Sequence, residues 1–288
     1  MVRTSYLLLV IILAGCSSKP HIIVGSKNFT EQVVLSEIIA QQIENRTGIE
    51  VERKIDLGGT LLAHEALKTG SIDLYPEYTG TALTAILKWP VSKDPSAVFS
   101  EVHQGYTQWH LSWLRPFGFN NTFAMVVRTE TAHSEHLGTL TSAASRAAPW
   151  RLGVGYEFVA RPDGLDGLKK AYSLKIAGDP VTMDLGLLYP ALRNGTIEMG
   201  AGSETDALLT DPSFTVLSDD RHYFPPYQCA IVVRDQALTN FPQLRSVLEE
   251  LSGRISDATM RQLNAAVDRN HRSVADVARD FLARSRKP

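Results

Sequence analysis

Short, almost wholly apolar runs alternate along this chain with segments whose apolar residues recur every three to four positions. That is the pattern of strands buried on both faces between amphipathic helices. His21-Ile22-Ile23-Val24-Gly25 reads as the first buried strand and runs into Ser26-Lys27-Asn28-Phe29. Thr30 is placed to cap the next helix, with Glu31 favourable in its first turn. Val34, Ile38, Ile39 and Ile43 carry the helical spacing as far as Gly48. Residues 51–55 alternate weakly, as a strand would. Gly58-Gly59-Thr60 leads into a helix over 61–69 that Gly70 closes, and Ile72-Asp73-Leu74-Tyr75 returns to strand. This β-α-β-α-β order predicts a parallel α/β sheet.

A longer helical stretch is predicted near residues 95–114. Phe123-Ala124-Met125-Val126-Val127-Arg128 and Cys229-Ala230-Ile231-Val232-Val233-Arg234 are two similar strand-like runs. The segment between them has its own strand signal in Arg151-Leu152-Gly153-Val154-Gly155 and a helical one over 185–193. Two bracketing strands predict one domain inserted into another through a pair of crossings, with a cleft between them. The chain ends in two amphipathic helices, one capped by Ser256, the other begun by Ser273-Val274-Ala275-Asp276. No internal repeat is visible. The length, 288 residues, fits two modest domains.

Composition narrows the function classes. With 44% hydrophobic and 21% charged residues the chain is an ordinary globular one, and 29 Lys+Arg against 31 Asp+Glu exclude a general nucleic-acid binder. No apolar run reaches the length of a membrane-spanning helix. Residues 1–15 read as a signal peptide: Arg3, a short apolar stretch and small residues ending in Leu13-Ala14-Gly15-Cys16. This ending resembles a bacterial lipobox, which makes Cys16 the lipidated first mature residue and residues 16–20 a tether. The expected location is a membrane-anchored one in the periplasm or at the extracellular face. The other cysteine, Cys229, lies in an apolar run and reads as a buried strand thiol.

A search for catalytic chemistry returns little. The chain has no Gly-x-Ser-x-Gly elbow, phosphate loop or His-Glu-x-x-His helix, and Gly153-Val154-Gly155 lacks the third glycine of a dinucleotide fingerprint. His133 and His136 have no further ligand in sequence and read as a solvated loop rather than a metal site. Asp219-Asp220-Arg221 reads as a surface turn. No cofactor or metal is expected, and no enzyme.

Aromatic residues point elsewhere. Tyr75-Pro76-Glu77-Tyr78-Thr79-Gly80-Thr81 sets two tyrosines in a turn-rich stretch, and Phe29, Phe123, Tyr223, Phe224 and Tyr227 sit at strand ends or in loops. A cluster of π faces suits a quaternary ammonium, which has no N–H to donate, each face contributing about 0.5–2 kcal/mol. Packing of a two-domain core is the competing reading of the same rings.

Four motifs in order, Gly25-Ser26-Lys27-Asn28-Phe29-Thr30-Glu31-Gln32, the Tyr75–Thr81 stretch just quoted, Arg161-Pro162-Asp163-Gly164 and Phe224-Pro225-Pro226-Tyr227, resemble one family. It is the substrate-binding proteins of osmoprotectant ABC importers, which carry glycine betaine, carnitine, choline or proline betaine. The resemblance runs from about residue 22 to residue 284. It implies a type II periplasmic-binding-protein fold, two α/β lobes joined by two hinge strands. Lobe 1 is expected over 21–122 plus 228–288 and lobe 2 over 123–227. By similarity Tyr78, Phe123 and Tyr227 would be cage walls, Phe123 standing where relatives usually carry tyrosine, and the carbonyl of Asn121 would close the cage. Lys27, Thr81 and Arg161 would meet a ligand carboxylate. Gln32 and Ser203 are further candidates, Ser203 standing where many relatives have another cage tyrosine, with Glu204 or Asp206 as possible sources of negative charge. The implied partners are a small quaternary amine or zwitterion and an ABC permease, with no nucleic acid. The rivals are a receptor for an amino acid or other small zwitterion, and a secreted cleft enzyme.

Overall fold

The structure, a computed structural model, describes residues 21–284 apart from Val91; the expected signal peptide, Cys16 and the tether lie outside the described residues. Lobe 1 is built on β1 (Ile22–Gly25), β2 (Val51–Lys54), β3 (Leu74–Tyr78) and β4 (Leu111–Trp113). Lobe 2 is built on β5 (Phe123–Arg128), β6 (Leu152–Val154), β7 (Val181–Thr182), β8 (Met199–Ser203) and β9 (Phe214–Leu217), after which β10 (Cys229–Arg234) returns to the first sheet. The strand orders are β2-β1-β3-β10-β4 and β7-β6-β8-β5-β9.

The sheets are mixed rather than parallel. β1 runs parallel to β2 and β3, but β10 pairs antiparallel with both β3 and β4. The cause is the crossing: β10 enters from lobe 2 and takes the slot between β3 and β4 in the opposite direction. Residues 119–122 and 226–228, which carry the chain between the lobes, run side by side. Asn120 and Gln228 form an antiparallel bridge, and Asn121 N–H donates to the Tyr227 carbonyl at 3.0 Å.

Several elements depart from the expectations, each for a local reason. The helix Thr30–Thr47 is capped by extended Phe29, whose ring stacks on Tyr78 at 6.3 Å, while Thr30 Oγ1 donates to Asp268. The third strand begins at Leu74 and continues through Tyr78, so the stretch read as turn-rich is half strand. A helical turn over Thr79–Thr81 follows and widens into a π-turn over Ala82–Ile86. The helix Pro95–Tyr106 ends early, because Leu111–Trp113 joins β10 as an edge strand. Ser256 and Ser273 accept backbone N–H bonds from Thr259 and Asp276, as helix-capping residues do. Cys229 is fully buried, and burial raises its thiol pKa. Asp219 is no solvated turn: it accepts from the Tyr172 hydroxyl and from the N–H groups of Tyr223 and Phe224, fixing the loop ahead of Tyr227.

One apolar core continues from lobe 1 into lobe 2, through Tyr78, Phe119, Phe158, Phe224 and Tyr227. Two smaller cores form separately, one against β3 and β10 in lobe 1 and one against β5 in lobe 2. The rings at the crossing are thus part of the continuous core.

Candidate ligand site between the lobes

Tyr78 ends β3, Phe123 begins β5, and Tyr227 lies two residues before β10, so topology alone brings all three to the crossing. Phe123 meets Tyr227 edge to face at 5.6 Å between centroids. Gly80 is required for this approach: a Cβ there would stand 2.7 Å from the Pro226 carbonyl and 2.8 Å from the Tyr227 ring. A cation already lies against two of the rings. The Arg161 guanidinium is 5.2 Å from the Phe123 centroid and 5.5 Å from that of Tyr227.

Both candidate cations are answered by protein carboxylates. Lys27 Nζ donates to Glu77 at 2.5 Å and to Thr60 Oγ1 at 2.9 Å, and it lies 5.2 Å from the Tyr78 centroid. Arg161 donates from Nε and Nη2 to Asp163 at 2.9 and 2.5 Å, a bidentate fork, and from Nη1 to Thr81 Oγ1 at 2.9 Å. Asp163 also accepts from the Tyr227 hydroxyl. Burial raises the Asp163 pKa, but Arg161 and the hydroxyl outweigh it and hold the carboxyl below its usual range. Tyr78 and Tyr227 are pushed well above 10, chiefly by burial, so both stay neutral donors.

Glu31 is 3% exposed and accepts four hydrogen bonds. Oε1 takes the Tyr78 hydroxyl at 2.7 Å and Asn121 Nδ2 at 2.8 Å; Oε2 takes Thr205 Oγ1 at 2.5 Å and Asn264 Nδ2 at 3.1 Å. Burial raises its pKa, and the four donors pull it back only in part, so the carboxyl stays above its usual range. Gln32 is buried, its Oε1 accepting from Lys27 N–H and its Nε2 left without a partner; Asn121 Oδ1 is unpartnered too. Ser203 pairs with Phe123 across β8 and β5, and its N–H donates to Asp206. Asp206, which also accepts from the Tyr189 hydroxyl, is pushed up to about 6, mainly by burial.

The lobes touch through side chains as well as through the crossings. Arg161 reaches Thr81, Thr205 reaches Glu31, and Glu157 of lobe 2 accepts from both the N–H and the hydroxyl of Thr60 in lobe 1. Sequence reasoning singled out Lys27 and Arg161 but missed their partners. Glu77 and Asp163 sit inside the quoted motifs, one residue before Tyr78 and two after Arg161; a buried cation needing a counter-charge was the available signal. Glu157, Thr205 and Asn264 carried none. Among the described residues no group of three or more His, Cys, Asp or Glu could hold a metal, and no helix is long and apolar enough to cross a membrane.

This is the two-lobed architecture of a solute-binding protein. The family model for the substrate-binding domain of ABC-type glycine betaine transport systems matches residues 20–284, and the chain belongs to that family. The carnitine transport binding protein OpuCC of Listeria monocytogenes is 32% identical over 274 residues, 94% of this chain and 89% of that one. A glycine-betaine-binding protein of Pseudomonas aeruginosa is 34% identical over 281 residues, 93% of this chain and 89% of that one. A crystal structure of a glycine betaine/carnitine/choline ABC transporter protein superimposes with a TM-score of 0.76 at 31% identity, covering 91% of this chain and 98% of that one. The family is one of substrate-binding transport proteins rather than enzymes.

Proposed function

We propose that this protein captures a quaternary-ammonium osmolyte of the glycine betaine, carnitine or choline kind between its lobes and hands it to an ABC permease. The observation that carries this reading is the guanidinium of Arg161 resting against Phe123 and Tyr227. Rings that hold one cation present the faces that another requires. Tyr78, Phe123 and Tyr227 are the walls, with Asn121, Gln32 and Ser203 at their margin and Lys27, Thr81 and Arg161 toward any carboxylate. Residues 21–122 with 228–288 form one closing body and 123–227 the other. Cys16 carries the lipid that holds the protein at the membrane, and Cys16→Ser releases it or leaves it unprocessed.

Titration calorimetry with choline, glycine betaine, carnitine and a set of amino acids tests the reading. Quaternary amines bind, and Tyr227→Ala weakens choline and glycine betaine by a similar factor, corresponding to about 0.5–2 kcal/mol. Binding of amino acids alone, or a silent Tyr227→Ala, overturns the cage and leaves a zwitterion receptor. Turnover of any of these compounds would make the protein an enzyme.

A further inference from the structure

Charge is not balanced at the crossing. Among the described residues the fully buried carboxylates are Glu31, Glu77 and Asp163, and the buried lysines and arginines are Lys27 and Arg161; Asp206, half-buried next to Thr205, is a further carboxyl whose charge repels that of Glu31. Lys27 is paired with Glu77 and Arg161 with Asp163. Glu31 is left with four neutral donors: Tyr78, Asn121, Thr205 and Asn264. Four donors on two oxygens match a carboxylate, which only accepts. A buried carboxylate satisfied by hydrogen bonds alone still has no counter-charge, and in a region of low dielectric its field reaches further than in water.

Position gives that field a target. The Tyr78 hydroxyl donates to Glu31, so the carboxylate stands at the edge of a proposed cage wall. Asn121, in the crossing, donates to the same oxygen. Thr205 lies in lobe 2, two residues beyond Ser203, and its bond to Glu31 spans the two lobes.

Resting on the quaternary-ammonium reading above, we infer that Glu31 is the specificity-determining residue that reads the ligand's positive charge. Its carboxylate behind Tyr78 is the buried anion that a bound ammonium balances, and its bond to Thr205 ties that balance to closure of the lobes. The aromatic faces attract the methylated head through their quadrupoles; Glu31 adds a full buried charge that deepens the discrimination of a charged head from a neutral one of the same shape.

The test compares choline with 3,3-dimethylbutan-1-ol, which replaces the ammonium nitrogen by carbon. In the parent protein choline binds much more tightly. Glu31→Gln keeps the side chain's size and removes its charge, and the choline-to-alcohol affinity ratio drops about tenfold or more, with the alcohol itself little changed. Thr205→Val keeps the charge and cuts the bond across the lobes, so both ligands weaken together and the ratio holds. An unchanged ratio in Glu31→Gln, or equal loss of both ligands, reduces Glu31 to a structural role and overturns the inference, as does a Thr205→Val ratio that falls as far. Should the Gln variant not fold, Glu31→Asp reads the same quantity: withdrawing the carboxylate by one methylene lowers the ratio, and an unaltered ratio overturns the inference. If the parent binds neither choline nor glycine betaine, the underlying reading fails instead.

Discussion

The two lobes repeat one topology in two different sequences. β1, β2 and β3 of lobe 1 correspond in order and direction to β6, β7 and β8 of lobe 2, and the returning β10 takes the slot in the first sheet that β5 takes in the second. In each lobe the segment after the corresponding strand, β1 or β6, carries a buried cation, Lys27 or Arg161, and in each that cation is held by a carboxylate. The aromatic residue falls on opposite members of the corresponding strand pair. Lobe 1 has Tyr78 on β3 opposite Cys229 on β10, whereas lobe 2 has Ser203 on β8 opposite Phe123 on β5. Each lobe therefore contributes one ring from equivalent strand ends, and lobe 2 does so despite the serine. The fold supplies equivalent positions, and the residues at those positions make the lobes chemically different.

The largest difference expected is between the two ion pairs. Lys27–Glu77 has side-chain exposures of 3% and 0%, and without the glutamate Lys27 keeps only the Thr60 hydroxyl and one ring face, that of Tyr78. Glu77→Ala therefore strands a buried ammonium and should cost about 3–5 kcal/mol in urea unfolding. Asp163→Ala should cost less, because Arg161 retains Thr81 and two ring faces, those of Phe123 and Tyr227, where Lys27 retains one. Equal losses would mean that those rings contribute nothing to holding Arg161.

Acidification should separate the lobes by sign. His64 in lobe 1 is buried against Tyr106 and Trp109 with its Nδ1 unpartnered, and burial lowers its pKa to about 4 from 6.5. The unfolded chain binds a proton there first, so stability drains away as pH falls from about 6.5 toward 4. His64→Phe should gain on its parent across that window. Asp206 in lobe 2 behaves oppositely: raised to about 6 from 3.8, it is protonated first in the folded state. Its burdened charge is relieved as pH falls from about 6 toward 3.8. Asp206→Asn should start with an advantage at neutral pH that shrinks on acidification. Thermal melts at stepped pH values read both slopes, and parallel slopes would refute the assignment.

Much of this was legible in the sequence, unevenly. The hinge-bracketing strands 123–128 and 229–234 were marked by runs of buried β-branched and apolar residues, which a sheet covered on both faces requires. The motifs located Lys27, Tyr78, Arg161 and Tyr227. What pattern could not show was pairing across distance. Glu31 looked like a first-turn residue answering a helix dipole, and its donors lie 47, 90, 174 and 233 positions away. The Thr30 cap failed for a related reason: the Phe29 ring on Tyr78 and Asp268 beside Thr30 are tertiary contacts that override a local preference.

The smallest effect concerns a contact between the lobes that no motif announced. The helix Thr60–Lys68 begins with no side-chain cap of its own, because Gly59 occupies that position, and it has no acidic residue in its first turn. Glu157, on the helix Tyr156–Ala160 of lobe 2, supplies the missing acceptor by taking the N–H and hydroxyl of Thr60. Gly59 leaves room for it; a Cβ there would collide with the carboxylate. A helix cap supplied by the other lobe exists only while the lobes are together, so it favours the closed arrangement and contributes nothing to either lobe alone. Caps are worth about 0.5–2 kcal/mol, and Glu157 is exposed, which places it low in that range. Glu157→Ala should leave urea unfolding nearly unchanged, yet shift the unliganded protein toward an open form with a larger radius of gyration in X-ray scattering. Saturating ligand should restore the parent's dimensions, because the ligand adds contacts to both lobes. An unliganded radius identical to the parent's would show that Glu157 merely decorates a closure set elsewhere. A large loss of unfolding stability would show that it belongs to the fold of a single lobe.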